Sequence, residues 1–170
     1  TVDANNTSRI FNIGSGNRLS IGGVTLRRGA AGAGNGGAIL VNSGANLALS
    51  GAEIVSSTAS SGGAVANLGV ATIGNSVLRG NSAVAGGAVA NAVGMTLTIT
   101  NTTFISNIAS GGVLGGTGGG VNNAGRVTIE NATFTANRAG QGAALYQTQG
   151  TAILRHVTVA NNTGTTAGGG

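Results

Sequence analysis

Residues 86–107 read GGAVANAVGMTLTITNTTFISN. Leu97 and Ile99 alternate with threonines, Phe104 follows Ile99 by five residues, and Asn107 stands three further on. Apolar residues at period two, bounded by Gly, Asn, Ser and Thr clusters, mark short strands; a helix would repeat its apolar face every three to four residues. The same features recur outward in both directions. Gly36-Gly37-Ala38-Ile39, Gly62-Gly63-Ala64-Val65, Gly86-Gly87-Ala88-Val89 and Gly118-Gly119-Gly120-Val121 open successive units, with a degenerate copy at Gly142-Ala143-Ala144-Leu145.

A second set of columns aligns more tightly. The alternating pairs are Leu19/Ile21, Leu47/Leu49, Ala71/Ile73, Leu97/Ile99, Val127/Ile129 and Ala152/Leu154. Five residues after each pair stand Leu26, Ile54, Leu78, Phe104, Phe134 and Val159, so the period is 28, 24, 26, 30 and 25 residues. Six copies of one unit predict a repeat architecture, because a single unit cannot bury its apolar face and stacking does so continuously. About 25 residues with three short strands per turn predicts an all-β fold, a right-handed parallel β-helix of six coils forming one domain over residues 1–170. A left-handed helix would need a hexapeptide period, and leucine-rich repeats would need a helix-forming half.

The columns are expected to face inward: Phe11, Ile39, Val65, Val89, Val121 and Leu145 from the first strand, Ile21, Leu49, Ile73, Ile99, Ile129 and Leu154 from the second, and Leu26, Ile54, Leu78, Phe104, Phe134 and Val159 from the third. Parallel strands lie about 4.8 Å apart, so six coils make a rod about 29 Å long. Glycine opens the tight turn into the first strand and the small alanine after it leaves room for the next coil. Two asparagine ladders are expected, one of Asn42, Asn67, Asn91 and Asn123 continued by Gln147, the other of Asn81, Asn107, Asn137 and Asn162, with amides stacked along the axis as in cross-β assemblies. The longest unit carries a small-residue insertion over 108–118, read as a bulge, and 168–170 is read as the opening of a further coil.

Composition narrows the function classes. Glycine is 34 of 170 residues, proline, cysteine and tryptophan are absent, and only 6% of residues are charged. Collagen is excluded by the missing proline, and a disordered tail by the 41% hydrophobic content. No apolar run reaches the length of a membrane span. The net charge of +5 comes from eight arginines against Asp3, Glu53 and Glu130. They are too sparse for a phosphate footprint, so nucleic acid is not expected as a partner. The start at Thr1 without methionine is read as a processed product or a piece of a longer chain. The sequons at Asn5, Asn6, Asn101, Asn131 and Asn161 are read as chance in an Asn- and Thr-rich chain.

Catalytic, metal and cofactor sites are not expected. Glu53 and Glu130 lie three units apart, about 14 Å along the axis, beyond the range of a glycosidase pair, and Asp3 is placed at a frayed end. His156 has no acidic or cysteine neighbour and reads as an exposed surface residue, and no serine has a base and orienter. Candidate surface contacts are Arg27 and Arg79, at equivalent positions two units apart, and Tyr146, which could stack on a sugar. Arg18 and Arg126 stand near the second strand, and together the arginines form a weakly basic strip that solubilises the rod or meets an anionic polysaccharide or cell surface.

The Gly-Gly-Ala-(Ile/Val) tetrapeptides at 36–39, 62–65 and 86–89, with Phe104-Ile-Ser-Asn107 and Phe134-Thr-Ala-Asn137, resemble the GGA(I/L/V) and FxxN repeats of the polymorphic membrane protein family of autotransporter adhesins. More broadly, the chain resembles β-helix repeat regions of bacterial surface and secreted proteins. The resemblance implies a β-helix outside the cell with a role in adhesion or surface architecture. Expected partners are cell-surface glycans or a host receptor, and further coils of the same chain. Two other readings stand beside it. An extracellular filament would stack copies head to tail through uncapped end coils, since 1–9 holds no capping helix. A carbohydrate-binding module would use the strand face, although Phe11, Phe104 and Phe134 are assigned inward.

Overall fold

A computed structural model describes residues 1–111 and 115–167. The chain is a parallel β-solenoid of about six turns. The first face stacks Phe11–Ile13, Ile39–Val41, Val65–Asn67, Val89–Asn91, Val121–Asn123 and Leu145–Gln147. The second stacks Arg18–Gly22, Asn46–Ser50, Val70–Gly74, Thr96–Thr100, Arg126–Glu130 and Thr151–Arg155. The third begins one strand earlier, with Val2–Asp3, and continues through Thr25–Arg27, Glu53–Val55, Val77–Arg79, Thr103–Ile105, Thr133–Thr135 and Thr158–Ala160.

Register follows the sequence columns. Leu26, Ile54, Leu78, Phe104, Phe134 and Val159 pair successively on the third face, and Ile21 to Leu154 do so on the second. Because strand side chains alternate, a constant register places every column on one side of the wall. Ile39, Leu49, Ile54, Ile73, Leu78, Leu97, Ile99, Phe104, Ile129 and Phe134 are buried in one continuous core. Each such side chain contributes roughly 1.5–3 kcal/mol by leaving water.

The ends of the columns depart from expectation. Leu154 and Val159 are 43% and 41% exposed, not inward core. Phe11, Ile21 and Leu145 are half-buried. Burial of a solenoid column requires a neighbour on both sides, and among the described residues no strand stacks on Leu154 or Val159.

A fourth, shorter face adds to the three read from sequence. Ser82–Ala83, Ile108–Ala109, Arg138–Gln141 and Thr163–Ala167 pair in order, and bridges Ala30–Thr58–Ser82 extend it toward the first coil. Ala109, Ala139 and Ala143 form a small second core behind it. Ile108–Ala109 belongs to this face, so part of the 108–118 insertion is regular strand; its residues 112–114, like the suggested coil opening at 168–170, lie outside the described residues.

The Gly-Gly-Ala signature has two separate causes. Gly36, Gly62, Gly86, Gly118 and Gly142 all have φ between +57° and +68°, a left-handed conformation costly for residues with a Cβ. The second glycine is required by close approach: a Cβ on Gly37, Gly63 or Gly87 would collide with the carbonyl of Gly63, Gly87 or Gly119 in the next coil. Ala143 replaces it in the fifth copy, where no further first-face strand follows among the described residues.

Candidate functional site

The buried polar side chains form two axial ladders. In one, Asn81, Asn107 and Asn137 each donate from Nδ2 to the Oδ1 of the asparagine in the next coil, at 2.9–3.0 Å. Each also donates to a carbonyl of the preceding coil: Ile54, Leu78 and Phe104 respectively. Their Oδ1 atoms accept backbone N–H groups from the coil before, so one side chain ties three coils together. The ladder ends at Asn162 and begins at Ser57, whose N–H donates to Asn81 Oδ1 while its Oγ accepts the N–H of Gly29.

The other ladder runs Asn67–Asn91–Asn123–Gln147 with amide bonds of 2.7, 2.7 and 2.8 Å. Asn42 is not in it. Val41 pairs with Asn67, and Asn42, one residue later, turns outward to donate to Asn12 Oδ1 and the Ile13 carbonyl. Asn42 stands three residues after Ile39, whereas Asn67 stands two after Val65, which places their side chains on opposite sides of the wall. Among the described residues no buried side-chain nitrogen or oxygen lacks a hydrogen-bond partner, the condition under which buried polar groups cost little.

The charged residues are arranged by the third face. Asp3 is not at a frayed end: Val2–Asp3 pairs with Leu26 and Arg27. Arg28 grips both Asp3 carboxylate oxygens, Arg27 Nε donates to Oδ2 at 2.7 Å, and the Asn5 N–H donates to Oδ1 at 2.9 Å. The Arg28 hydrogen bonds, then that of Asn5, then Arg27 hold the Asp3 carboxyl well below the usual carboxylate range. Two coils further along, Arg79 Nε donates to Glu53 Oε1 at 2.6 Å. Arg27 and Arg79 are thus half-exposed and each already faces a carboxylate, because the register sets Asp3 opposite Arg27, and sets Glu53 opposite Val77, two residues before Arg79 on the adjacent rung. Exposed pairs of this kind contribute little to stability, because solvent screens them.

Arg18 and Arg126 occupy the same outward column of the second face, with Asn46, Val70 and Thr96 between them. Both are exposed and, among the described residues, neither makes an ion pair. Tyr146 is half-buried on the outer side of the first face, paired with Asn122. His156 is exposed at a turn, with φ 51°, in line with Asn75, Asn101 and Asn131, which have φ of 48–51°. Among the described residues no three metal-ligating side chains cluster, and no helix is long and apolar enough to cross a membrane.

Sequence reading missed the fourth face and the notches of the turns between the first two faces. The signal for the former is an alanine five residues past the third column, at Ala31, Ala59, Ala83, Ala109 and Ala139. Comparison with known proteins finds no matching family model, no matching curated protein and no matching solved structure.

Proposed function

We propose that the chain is a non-enzymatic structural and adhesive β-solenoid at a bacterial cell surface, acting as a stalk or passenger segment that holds its outer faces at a distance from their anchor. The observation that carries this reading is the pair of axial amide ladders. They spend the interior polar groups on joining coil to coil, which stiffens a rod and leaves recognition to the outside. The pairing of Asp3 with Arg27 and Arg28, and of Glu53 with Arg79, supports a non-catalytic role for two of the three acids. Beads coated with the chain are expected to adhere to host or neighbouring bacterial cells above uncoated beads, while polysaccharides incubated with the chain yield no new reducing ends. Turnover of any of them would overturn the reading.

A second reading, a filament of stacked copies, draws on Leu154 and Val159, whose exposure ends columns that are buried from Leu49 to Ile129 and from Leu26 to Phe134. Either further coils of the same chain or a second copy would cover them. Electron microscopy separates the two: fibres repeating about every 29 Å, six strand spacings, support stacking, and discrete rods exclude it.

A further inference from the structure

The turns joining the first face to the second differ in length. They span 14–17, 42–45, 68–69, 92–95, 124–125 and 148–150. The two shortest therefore sit between longer neighbours, and each leaves a notch in the corner of the solenoid. Over 68–69 the notch is about 250 Å³, bounded by Ser43 and Gly44 on one side and Gly94 and Met95 on the other. Over 124–125 it is about 330 Å³, bounded by Val93 and Gln149, with Arg126 at its rim.

The notches are built features. A Cβ on Gly69 would lie 2.6 Å from the Asn42 carbonyl, and one on Gly125 would lie 2.5 Å from that of Ala92, so only glycine lets the short turn tuck beneath the long one. The ladder amides fasten both: Gly69 N–H donates to Asn67 Oδ1 at 3.2 Å and Gly125 N–H to Asn123 Oδ1 at 3.3 Å. The notches lie two coils apart, about 9.6 Å at the parallel-strand spacing.

Charge decides what they fit. Arg27, Arg28 and Arg79 are matched by carboxylates, and Arg9 donates to the Asn35 and Gly36 carbonyls. The arginines left unmatched beside this corner are Arg18 and Arg126, in one column, four coils or roughly 19 Å apart. The one carboxylate of the second face, Glu130, lies at the far end of the Arg126 strand, beside Arg155 of the next coil. Between the two arginines the corner offers amides, hydroxyls and small apolar groups, and no aromatic platform.

We propose that this corner binds a linear acidic polysaccharide running along the solenoid axis, with its carboxylates or sulfates on Arg18 and Arg126 and its sugar units seated in the two notches. The inference rests on the adhesive reading above and names the class of its ligand. Charge complementarity selects an anionic chain, and the axial column of contacts selects an extended one.

The test measures binding of galacturonate oligosaccharides at low salt by calorimetry. An octasaccharide is expected to bind, and a disaccharide, too short to reach both arginines, to bind at least about tenfold more weakly. Arg18→Gln with Arg126→Gln is expected to reduce octasaccharide affinity by about tenfold or more. Arg79→Gln, which removes an arginine already paired with Glu53, should leave it unchanged, and raised salt should weaken binding. Both sites are exposed, so unchanged circular dichroism verifies the fold. Equal affinity for the two oligosaccharides, equal loss from Arg79→Gln, or tighter binding of a DNA oligonucleotide of the same charge each overturns the proposal. Adhesion of coated beads without uronate binding removes this inference and leaves the adhesive reading standing; uronate binding without adhesion does the reverse.

Discussion

The rings of Phe104 and Phe134 stack face to face across adjacent coils, with centroids 4.6 Å apart and planes within 4°. Both are fully buried, and they continue a column that is otherwise aliphatic. The parallel strand spacing of about 4.8 Å imposes this separation, so the stack follows from placing two aromatics in one inward column. Phe134→Ala is expected to cost about 3–5 kcal/mol and Phe104→Leu less than about 1.5 kcal/mol, since leucine fills the same column at Leu26 and Leu78. Urea unfolding monitored by circular dichroism measures both.

Gly120 stands where the other units carry Ala38, Ala64, Ala88 and Ala144. A Cβ there would lie 2.7 Å from Cδ1 of Phe134 and 2.6 Å from the Ala144 carbonyl. Gly120→Ala, which restores the repeat consensus, is therefore expected to destabilise the chain by about 1–3 kcal/mol. Combining it with Phe134→Leu should recover part of that loss, and a double-mutant cycle in the same unfolding assay measures the coupling.

Asn107 joins three coils, so its loss leaves several groups unsatisfied at once. Asn107→Ala removes the acceptor of the Asn81 N–H and side-chain amide and the donor to Leu78; a cost of about 2–5 kcal/mol is expected. Asn107→Asp keeps the acceptor but turns a carboxylate toward the Leu78 carbonyl and Asn137 Oδ1. Its folded pKa should rise above the unfolded value, so the variant gains stability relative to the parent as pH falls and loses it as pH climbs past the unfolded carboxylate range. Unfolding series at acid and neutral pH would show that slope, and a flat difference would contradict it.

The N-terminal strand is fastened by a depressed carboxylate. For Asp3 the folded pKa lies below the unfolded one, so its contribution is fully present above the unfolded pKa of about 3.9 and disappears as pH falls through the lower folded value. Asp3→Asn at neutral pH should mimic that release. Faster amide exchange at Ala4 and Asn6, whose N–H groups donate to the Arg27 and Arg28 carbonyls, is the expected readout, with core amides unchanged.

Ala136 adopts φ 55° in a turn column whose other members include Gly80 and Asn161. The left-handed conformation disfavours a Cβ by about 1–2 kcal/mol, and glycine returns part of this as unfolded-state entropy. Ala136→Gly is expected to stabilise the chain by about 0.5–1 kcal/mol, seen as a rise in Tm.

The solenoid, its coil count, the register of three faces and most members of both ladders were legible in the spacing of residues along the chain. A constant five-residue spacing between inward columns allows one register, and parallel stacking converts alignment in sequence into contact along the axis. Asn81, Asn107, Asn137 and Asn162 could be matched by counting for that reason. What lies beside the axis was decided by tertiary structure. The close approach of Gly120 to the Phe134 ring, which leaves no room for a Cβ, crosses from one face to another. The exposure of Leu154 and Val159 depends on whether a coil lies above them. The neutralisation of Arg27 and Arg79, and with it the isolation of Arg18 and Arg126, depends on which outward side chains reach one another between rungs. The notches depend on one turn being shorter than both its neighbours. Periodicity records which residues share a column; distances between columns and the coverage of column ends arise only when the chain is wound.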